Sequence, residues 1–239
     1  MKIELDGLSH RYDVEVLRDL TLELDGYKAV AIIGMSGSGK STLLRILSGL
    51  ERPTGGTVRV NDHDVTNLDY RKSVGFVFQH HALFPHLTLL RNITLILEKT
   101  RGHDPQRAQA RAMEFLNLLQ LADQAHKLPR NVSGGQAQRG SIARALSLDP
   151  EVVFLDEPTS ALDPILTFEV LSAITELRNI GKGFVLVSHV MDFVHSFADY
   201  VIYLHRGRIA EHGSPSILDQ PRSTELREFM AKVPDCAFR

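Results

Sequence analysis

Residues 30–42, VAIIGMSGSGKST, are the most informative part of the sequence about its fold. This stretch joins a short apolar run to the pattern G-x-x-x-x-G-K-[ST], and a helical pattern, LLRILSGL, follows directly. A strand before and a helix after are the context in which this pattern forms a phosphate-binding loop. Gly34, Gly37 and Gly39 permit a tight turn whose backbone N–H groups point inward, next to a helix N-terminus. The alternative is a glycine- and serine-rich turn that matches by chance. The flanking strand and helix argue against it, so we expect nucleotide binding.

Polar side chains with matching chemistry occur in the loop and in a second motif. Lys40 offers a cation to the β- and γ-phosphates, and the Ser41 hydroxyl can ligate Mg²⁺. The motif VVFLDEP, residues 152–158, ends an apolar strand in two acids. One carboxylate can hold Mg²⁺ through water, and the other can act as a general base on an attacking water. Alone, Asp156 and Glu157 would be read as polar residues at a strand end. Together with the loop they indicate nucleotide hydrolysis.

Four apolar runs alternate with helical patterns along the chain. They are VAIIG (30–34), VGFVF (74–78), VVFLD (152–156) and FVLVS (184–188). Such runs are typical of strands covered on both faces, as in a parallel sheet between helices. Asp104-Pro105 and Asp163-Pro164 each provide an N-cap followed by proline at the first helical position. Residues 199–213 predict an antiparallel hairpin around Arg206-Gly207.

The strand–helix alternation stops between about residues 82 and 148, where helical patterns dominate. We read this region as a helical sub-domain inserted into an α/β core. The predicted fold is therefore a P-loop NTPase core with a mostly parallel sheet, an N-terminal antiparallel β part and this inserted sub-domain. A length of 239 residues fits one domain of this kind.

Composition excludes several classes of protein. The 27 Lys and Arg residues and 29 Asp and Glu residues give a net charge of −2, which argues against bulk binding of nucleic acid. The single cysteine, Cys236, permits no intrachain disulfide and fits a reducing compartment. No run approaches the roughly 18 apolar residues of a membrane span, because Arg91 and Asn92 interrupt the best candidate, residues 87–98. We expect a cytosolic protein, or one that reaches a membrane through a partner.

Further motifs resemble those of ATP-binding cassette (ABC) ATPases. NVSGGQAQR (131–139) resembles the family signature, and Gln79 after VGFVF resembles the Q-loop. SALD (160–163) resembles the D-loop, and Ser188-His189 the switch histidine. Tyr12 resembles the aromatic residue that stacks on adenine. With the phosphate loop and the acid pair, these motifs stand in family order along nearly the whole chain, so residues 1–239 are identified as a single ABC ATPase domain.

The resemblance implies a role for each matching residue, with ATP and Mg²⁺ as ligands. The implied catalytic residues are Glu157, His189, Gln79 and Lys40. The implied nucleotide-binding residues are Tyr12, Gly34, Ser36, Gly37, Ser38, Gly39, Lys40, Ser41, Thr42, Ser133, Gly134, Gly135, Gln136 and Asp163. The implied Mg²⁺ ligands are Ser41, Gln79 and Asp156. In the family, two chains close head to tail, and each ATP lies between one phosphate loop and the signature of the other chain.

Each of these assignments has an alternative. SGGQ could be a loop before a helix that Ser133 caps, His189 a structural histidine, Gln79 a surface amide and Tyr12 a core aromatic. Three positions also depart from the usual family pattern. Val132 stands where Leu is usual, Gly140 where Ala or a β-branched residue is common, and Val190 where an acid is frequent. None of these changes removes a catalytic group, but Gly140 costs its helix about 0.5–1 kcal/mol relative to Ala.

The region after Gln79 bears on the partner. In importers of this family it forms a groove for a coupling helix of the membrane subunit, to which Leu83, Phe84 and Leu87 would offer apolar contacts. The alternative is that these residues belong to the core of the helical sub-domain. His80, His81 and His86 could suggest a metal, but no nearby Cys or acidic ligand completes such a site.

Within the family, residues 84–95 and the C-terminal stretch 214–233 are similar to ATPases of bacterial polar amino-acid uptake systems. This implies an importer of amino acids or another small polar solute, attached to the cytoplasmic face of the membrane through permease subunits. The implied partners are a second copy or a related ATPase, the permease and a separate solute-binding protein, with no nucleic acid. A soluble ABC-type ATPase without a transport role, for example in cluster assembly, is the alternative.

Overall fold

In the computed structural model, residues 1–160, 162–178 and 181–233 are described. Cys236 and Ala161 of the SALD motif lie outside these ranges. The described residues form ten strands and eight α-helices. The strands are β1 (Ile3–Arg11), β2 (Glu15–Leu24), β3 (Ala29–Gly34), β4 (Gly55–Val60), β5 (His63–Asp64), β6 (Val74–Val77), β7 (Val152–Asp156), β8 (Gly183–Val187), β9 (Tyr200–His205) and β10 (Arg208–Gly213). The α-helices are α1 (Lys40–Leu47), α2 (Leu68–Lys72), α3 (Leu89–Arg101), α4 (Pro105–Leu118), α5 (Gly134–Ser147), α6 (Pro164–Leu177), α7 (Met191–Phe197) and α8 (Thr224–Met230).

The strands form two sheets. A six-stranded sheet has the order β10-β9-β3-β8-β7-β6, in which every pairing except β9 with β10 is parallel. A four-stranded antiparallel sheet has the order β2-β1-β4-β5. The mostly parallel sheet and the N-terminal antiparallel part confirm the predicted fold class. The hairpin predicted at 199–213 is confirmed as β9 and β10.

Both faces of the parallel sheet are covered, which explains its uninterrupted apolar strands. On β3, Val30 and Ile32 belong to a core shared with α1 and the antiparallel sheet. The intervening Ala31 and Ile33 belong to a second core formed with helices α3 to α8. Successive side chains of β3 point to opposite faces of the sheet and therefore pack into two separate cores.

Residues 78–151, all of which the structure describes, form the helices α3, α4 and α5 and two 3₁₀ turns, Ala122–Gln124 and Pro129–Asn131. The predicted helix starts are confirmed, because Asp104 caps α4 and Asp163 caps α6, each followed by proline. No helix within the described ranges has the length and apolar content that a bilayer crossing requires.

Two glycines in the β part have similar backbone angles and different surroundings. Gly56 and Gly26 have φ angles of +76° and +81°. A Cβ on Gly56 would lie 2.4 Å from the carbonyl carbon and oxygen of Gly7, whereas a Cβ on Gly26 would meet nothing within 4 Å. Gly56 therefore permits the close approach of the β4 and β1 backbones.

We expect Gly56→Ala to lower the free energy of unfolding by about 3 kcal/mol or more, since left-handed strain adds to backbone overlap. Gly26→Ala carries only the backbone strain, and we expect a loss of about 1 kcal/mol. Urea denaturation followed by circular dichroism measures both. Equal losses of unfolding free energy in the two variants would show that the backbone near Gly7 moves away from the new Cβ without destabilising the fold.

Candidate active site

The glycine-rich loop lies between the end of β3 and the start of α1. Gly34 has φ +149°, and a Cβ there would lie 2.3 Å from the Leu204 carbonyl oxygen, so only glycine fits. Lys40 folds back over the loop, and its Nζ donates to the carbonyl oxygens of Gly34 (2.9 Å) and Met35 (3.0 Å). Burial lowers the pKa of the Lys40 ammonium, and the nearby Glu157 and Asp156 act in the opposite sense. The loop thus holds a buried cation among backbone groups.

The acid pair stands at the end of β7, beside this loop. Asp156 is 2% exposed and accepts a hydrogen bond of 2.7 Å from Ser41 Oγ. Arg45 Nη2, a contact that sequence analysis missed, lies 3.8 Å from the other carboxylate oxygen of Asp156. Burial raises the pKa of Asp156, and the Ser41 hydrogen bond opposes this rise. Ser41 and Asp156 therefore present two adjacent oxygen donors at the foot of the phosphate loop.

Glu157 has an unusual backbone and two side-chain neighbours. Its φ is +45°, a region that non-glycine residues rarely occupy and that is enriched at functional sites. One carboxylate oxygen lies 2.7 Å from His189 Nε2, and the other lies 3.5 Å from Gln79 Nε2. The His189 hydrogen bond lowers the pKa of Glu157, although burial acts against it. The carboxylate is therefore ionised at neutral pH and can accept a proton.

A cavity of about 410 Å³ lies between the phosphate loop, Gln79 and Glu157. Its lining consists of Tyr12, Val16, Ser36, Gly37, Gly39, Lys40, Ser41, Thr42, Gln79 and Glu157. All but Val16 were singled out by sequence analysis. Val16 is an ordinary apolar residue of β2, and no sequence signal marks it. Ser38 is buried within the loop, where its backbone N–H donates to the Met35 carbonyl.

Tyr12 stands at the rim of this cavity. It is 50% exposed, so it is not a core residue. Its hydroxyl donates to Glu51 at 2.7 Å, and its ring meets the His10 ring edge-on, with 4.7 Å between the centroids. The exposed ring is therefore held in place at its hydroxyl end and at one edge.

The signature residues and Asp163 of the D-loop motif lie elsewhere. Ser133 caps α5 and accepts from Gln136 N at 3.1 Å, while Gln136 Oε1 accepts from Ser133 N at 3.0 Å. Gly134 and Gly135 form the first turn of α5. Asp163 caps α6 by accepting from the backbone N–H groups of the next turn. Among the described residues, the lining of the phosphate-loop cavity includes none of these five.

The stretch after Gln79 divides between core and surface. Leu83 is 7% exposed and belongs to the hydrophobic core that includes residues of α3 and α5, so for this residue the core alternative holds and not the partner contact. Phe84 is 41% exposed, and Leu87 is half-buried. Within residues 1–160, 162–178 and 181–233, no group of three or more His, Cys, Asp or Glu residues could hold a metal ion. The histidines at 80, 81 and 86 therefore do not form such a site.

The chain resembles known proteins over almost its full length. It is 40% identical to the arginine transport ATP-binding protein ArtM of Bacillus subtilis over 97% of this chain and 99% of that protein. It is 42% identical to the glutamine transport ATP-binding protein GlnQ of Escherichia coli over the same shares. The L-cystine transport system ATP-binding protein TcyN of Escherichia coli is 43% identical over 96% of this chain and 97% of that protein.

A solved structure and a family model agree with these relatives. The dimeric, post-hydrolysis structure of the ATP-binding cassette MJ0796 bound to ADP and Pi superimposes with a TM-score of 0.80. The two sequences are 32% identical, and the superposition covers 89% of this chain and 98% of the MJ0796 chain. The family model described as ABC transporter matches residues 17–160. The glycine-rich loop and the acid pair both lie within that match. The chain is thus an ATP-binding ATPase that belongs to the ABC transporter family.

Proposed function

We propose that this chain is the ATP-hydrolysing subunit of an importer of amino acids or another small polar solute. The observation that carries the hydrolysis is the ionised Glu157 carboxylate, held by His189 and Gln79 beside the phosphate loop. Support for the solute class comes from relatives whose names give arginine, glutamine and L-cystine transport. These transport names favour the importer over a soluble ABC-type ATPase.

In the proposed site, the residues divide into three tasks. Glu157 takes a proton from a water molecule, and the oxygen of that water attacks the γ-phosphorus. The bond between the γ-phosphorus and the bridging oxygen breaks, which gives ADP and inorganic phosphate. His189 and Gln79 hold that carboxylate and the water, and Lys40 balances the phosphate charge. The loop residues Gly34, Ser36, Gly37, Ser38, Gly39 and Thr42 bind the phosphates, and Tyr12 stacks on the adenine.

The residues present fit Mg²⁺. This ion prefers oxygen ligands and is usually held by one or two carboxylates together with substrate phosphates. The hydroxyl of Ser41 and the carboxylate of Asp156 form such an oxygen pair, 2.7 Å apart, and Gln79 adds an amide nearby. Bound there, Mg²⁺ would polarise the phosphate oxygens.

The second half of the site is proposed to come from another chain. Ser133, Gly134, Gly135, Gln136 and Asp163 lie outside the cavity of their own chain. A head-to-tail dimer, of two copies or of this chain with a related ATPase, would bring them to the γ-phosphate of the facing subunit. The MJ0796 cassette is described as dimeric in two solved structures. ATP that binds the closed pair more tightly than the open chains would shift the population toward closure.

We further propose that residues 1–239 form a single ATPase domain, with a helical sub-domain at about residues 82–148. Exposed Phe84 would contact a permease subunit, which receives the movement of the closing dimer. The chain would then lie on the cytoplasmic face of the membrane, and a separate solute-binding protein would deliver the solute to the permease.

Uptake by the whole system tests this function. The chain is co-expressed with permease and solute-binding proteins of its host, and the complex is reconstituted in proteoliposomes containing ATP. Uptake of radiolabelled amino acids that depends on ATP and on this chain is the expected result. Steady hydrolysis, with no permease recovered with the tagged chain from solubilised membranes, would favour the soluble alternative.

Lys40→Ala removes the buried cation of the loop. We expect ATP affinity to fall by at least about 30-fold, since a charge-assisted contact contributes about 1.5–3 kcal/mol and the vacated loop also loses its fixed shape. Isothermal titration with ATP measures the change, and Lys99→Ala on the exposed part of α3 is the control. Unchanged affinity would contradict the role of Lys40.

Glu157→Gln keeps the size of the side chain but cannot accept the proton. We expect kcat to fall by at least about 100-fold, within the range for loss of a general base, with ATP affinity retained. The variant should accumulate as an ATP-bound dimer in size-exclusion chromatography. Glu23→Gln on β2, remote from the site, should leave turnover and dissociation normal. A Glu157→Gln chain that turns over ATP at the native rate would refute the assignment.

A further inference from the structure

The segment 78–88, which carries Gln79, is held by side chains of α3 and α5. At its far end, Asn92 of α3 is completely buried. Its Oδ1 accepts from Phe84 N at 2.7 Å, and its Nδ2 donates to the carbonyl oxygens of Phe84 (3.1 Å), Leu87 (3.0 Å) and Thr88 (3.0 Å). All four of these contacts are to this one segment, and the two N–H groups of the amide are shared among three carbonyl oxygens.

The near end of the segment is held by α5. Gln138 is 3% exposed, and its Nε2 donates to the Phe78 carbonyl at 3.1 Å. Further along the same helix, Arg144 Nη1 donates to the Ala82 carbonyl at 2.8 Å. Ala82 has φ +46°, so this contact holds a residue in a backbone conformation that is otherwise unfavourable.

Close packing joins the same two parts of the chain. Gly140, in the middle of α5, faces one side chain of the segment and one that directly follows it. A Cβ at this position would lie 3.3 Å from Leu89 Cδ2 and 3.6 Å from Leu83 Cδ1. A side chain at position 140 would therefore require Leu89 to move by a few tenths of an ångström, whereas its distance to Leu83 is an ordinary van der Waals contact.

The Phe78 carbonyl has a direct geometric link to Gln79. A peptide group is planar, so the carbonyl of residue 78 lies in one rigid plane with the backbone nitrogen and Cα of residue 79. A hydrogen bond on that carbonyl fixes the plane from which the Gln79 side chain departs. The Gln79 amide is 3.5 Å from Glu157 Oε2, at the outer limit of a hydrogen bond. A small rotation of the plane therefore decides whether the amide reaches the carboxylate.

We infer that Gln138 is a positioning residue for Gln79. Through its hydrogen bond to the Phe78 carbonyl, it sets the position of the Gln79 amide relative to Glu157. A movement of α5 therefore changes that position. Gln138 does not line the phosphate-loop cavity and acts only through the backbone. Because α5 begins at Gly134, contacts made at its N-terminus reach Gln79 along a single helix. The inference rests on the proposed role of Gln79.

The test uses Gln138→Met in the full chain. Methionine has a similar volume but cannot donate a hydrogen bond. Loss of one neutral hydrogen bond corresponds to about a three- to tenfold effect, and we expect kcat to fall by that factor. The KM and Kd for ATP should stay within about twofold of the native values. Gln109→Met, on the exposed face of α4, is the control for the substitution and should keep native kcat.

A double-substitution cycle with Gln79→Ala separates the possible outcomes. If Gln138 acts through Gln79, adding Gln138→Met to Gln79→Ala lowers kcat no further. Independent, multiplying losses would overturn the inference. So would native kcat in Gln138→Met when Gln79→Ala is slow, and the proposed role of Gln79 would then stand. Native kcat in Gln79→Ala would instead remove that role and the inference with it.

Gln138→Glu gives a second readout that does not depend on the methionine variant. The introduced carboxyl group can donate to the Phe78 carbonyl when it is protonated, whereas its ionised form repels that carbonyl. Burial raises the pKa of such a carboxyl group. We expect kcat of this variant, relative to the native chain at each pH, to recover as the pH falls from about 8 to about 6. A ratio that stays flat with pH would indicate a packing role only and would overturn the inference.

Discussion

The parallel pairing of β3, β8 and β7 is the constraint on which the site depends. Ile32 pairs with Val187, and Val187 pairs with Asp156, so the three strands run in register in one direction. The residues that follow leave the sheet at a single edge. The sheet thereby brings together three residues from distant parts of the sequence, Gly34, Glu157 and His189. A shift of any of these strands by one residue would turn its terminal side chain to the other face.

Sequence reasoning predicted the parts of the molecule that depend on local pattern. Apolar runs identified the strands of the parallel sheet, and Asp-Pro pairs identified two helix starts. The loop and the acid pair could be placed next to each other because the carboxyl ends of parallel strands lie at the same edge of a sheet. Contacts between individual side chains could not be predicted. The 2.7 Å contact of His189 with Glu157, for example, depends on side-chain rotamers, which the spacing of residues along the sequence does not determine.

Residues without a chemical signal were missed or left undecided. Val16 lines the cavity only because β2 passes beside the loop. Arg45 reaches Asp156 from the second turn of α1. Leu83 could have faced a partner or the core, and packing beside α3 and α5 buries it in the core. Each of these outcomes is decided by the approach of two elements that are remote in sequence.

The left-handed backbone of Glu157 has a consequence for how this position can change over time. A φ of +45° costs a glutamate about 1–2 kcal/mol, while glycine or asparagine would occupy it with little strain. Random substitution under selection for thermal stability alone would therefore favour loss of the carboxylate. Under the role proposed for Glu157, turnover is what retains a glutamate here, and a chain of this fold that carries glycine or asparagine at this position is expected to have lost hydrolysis.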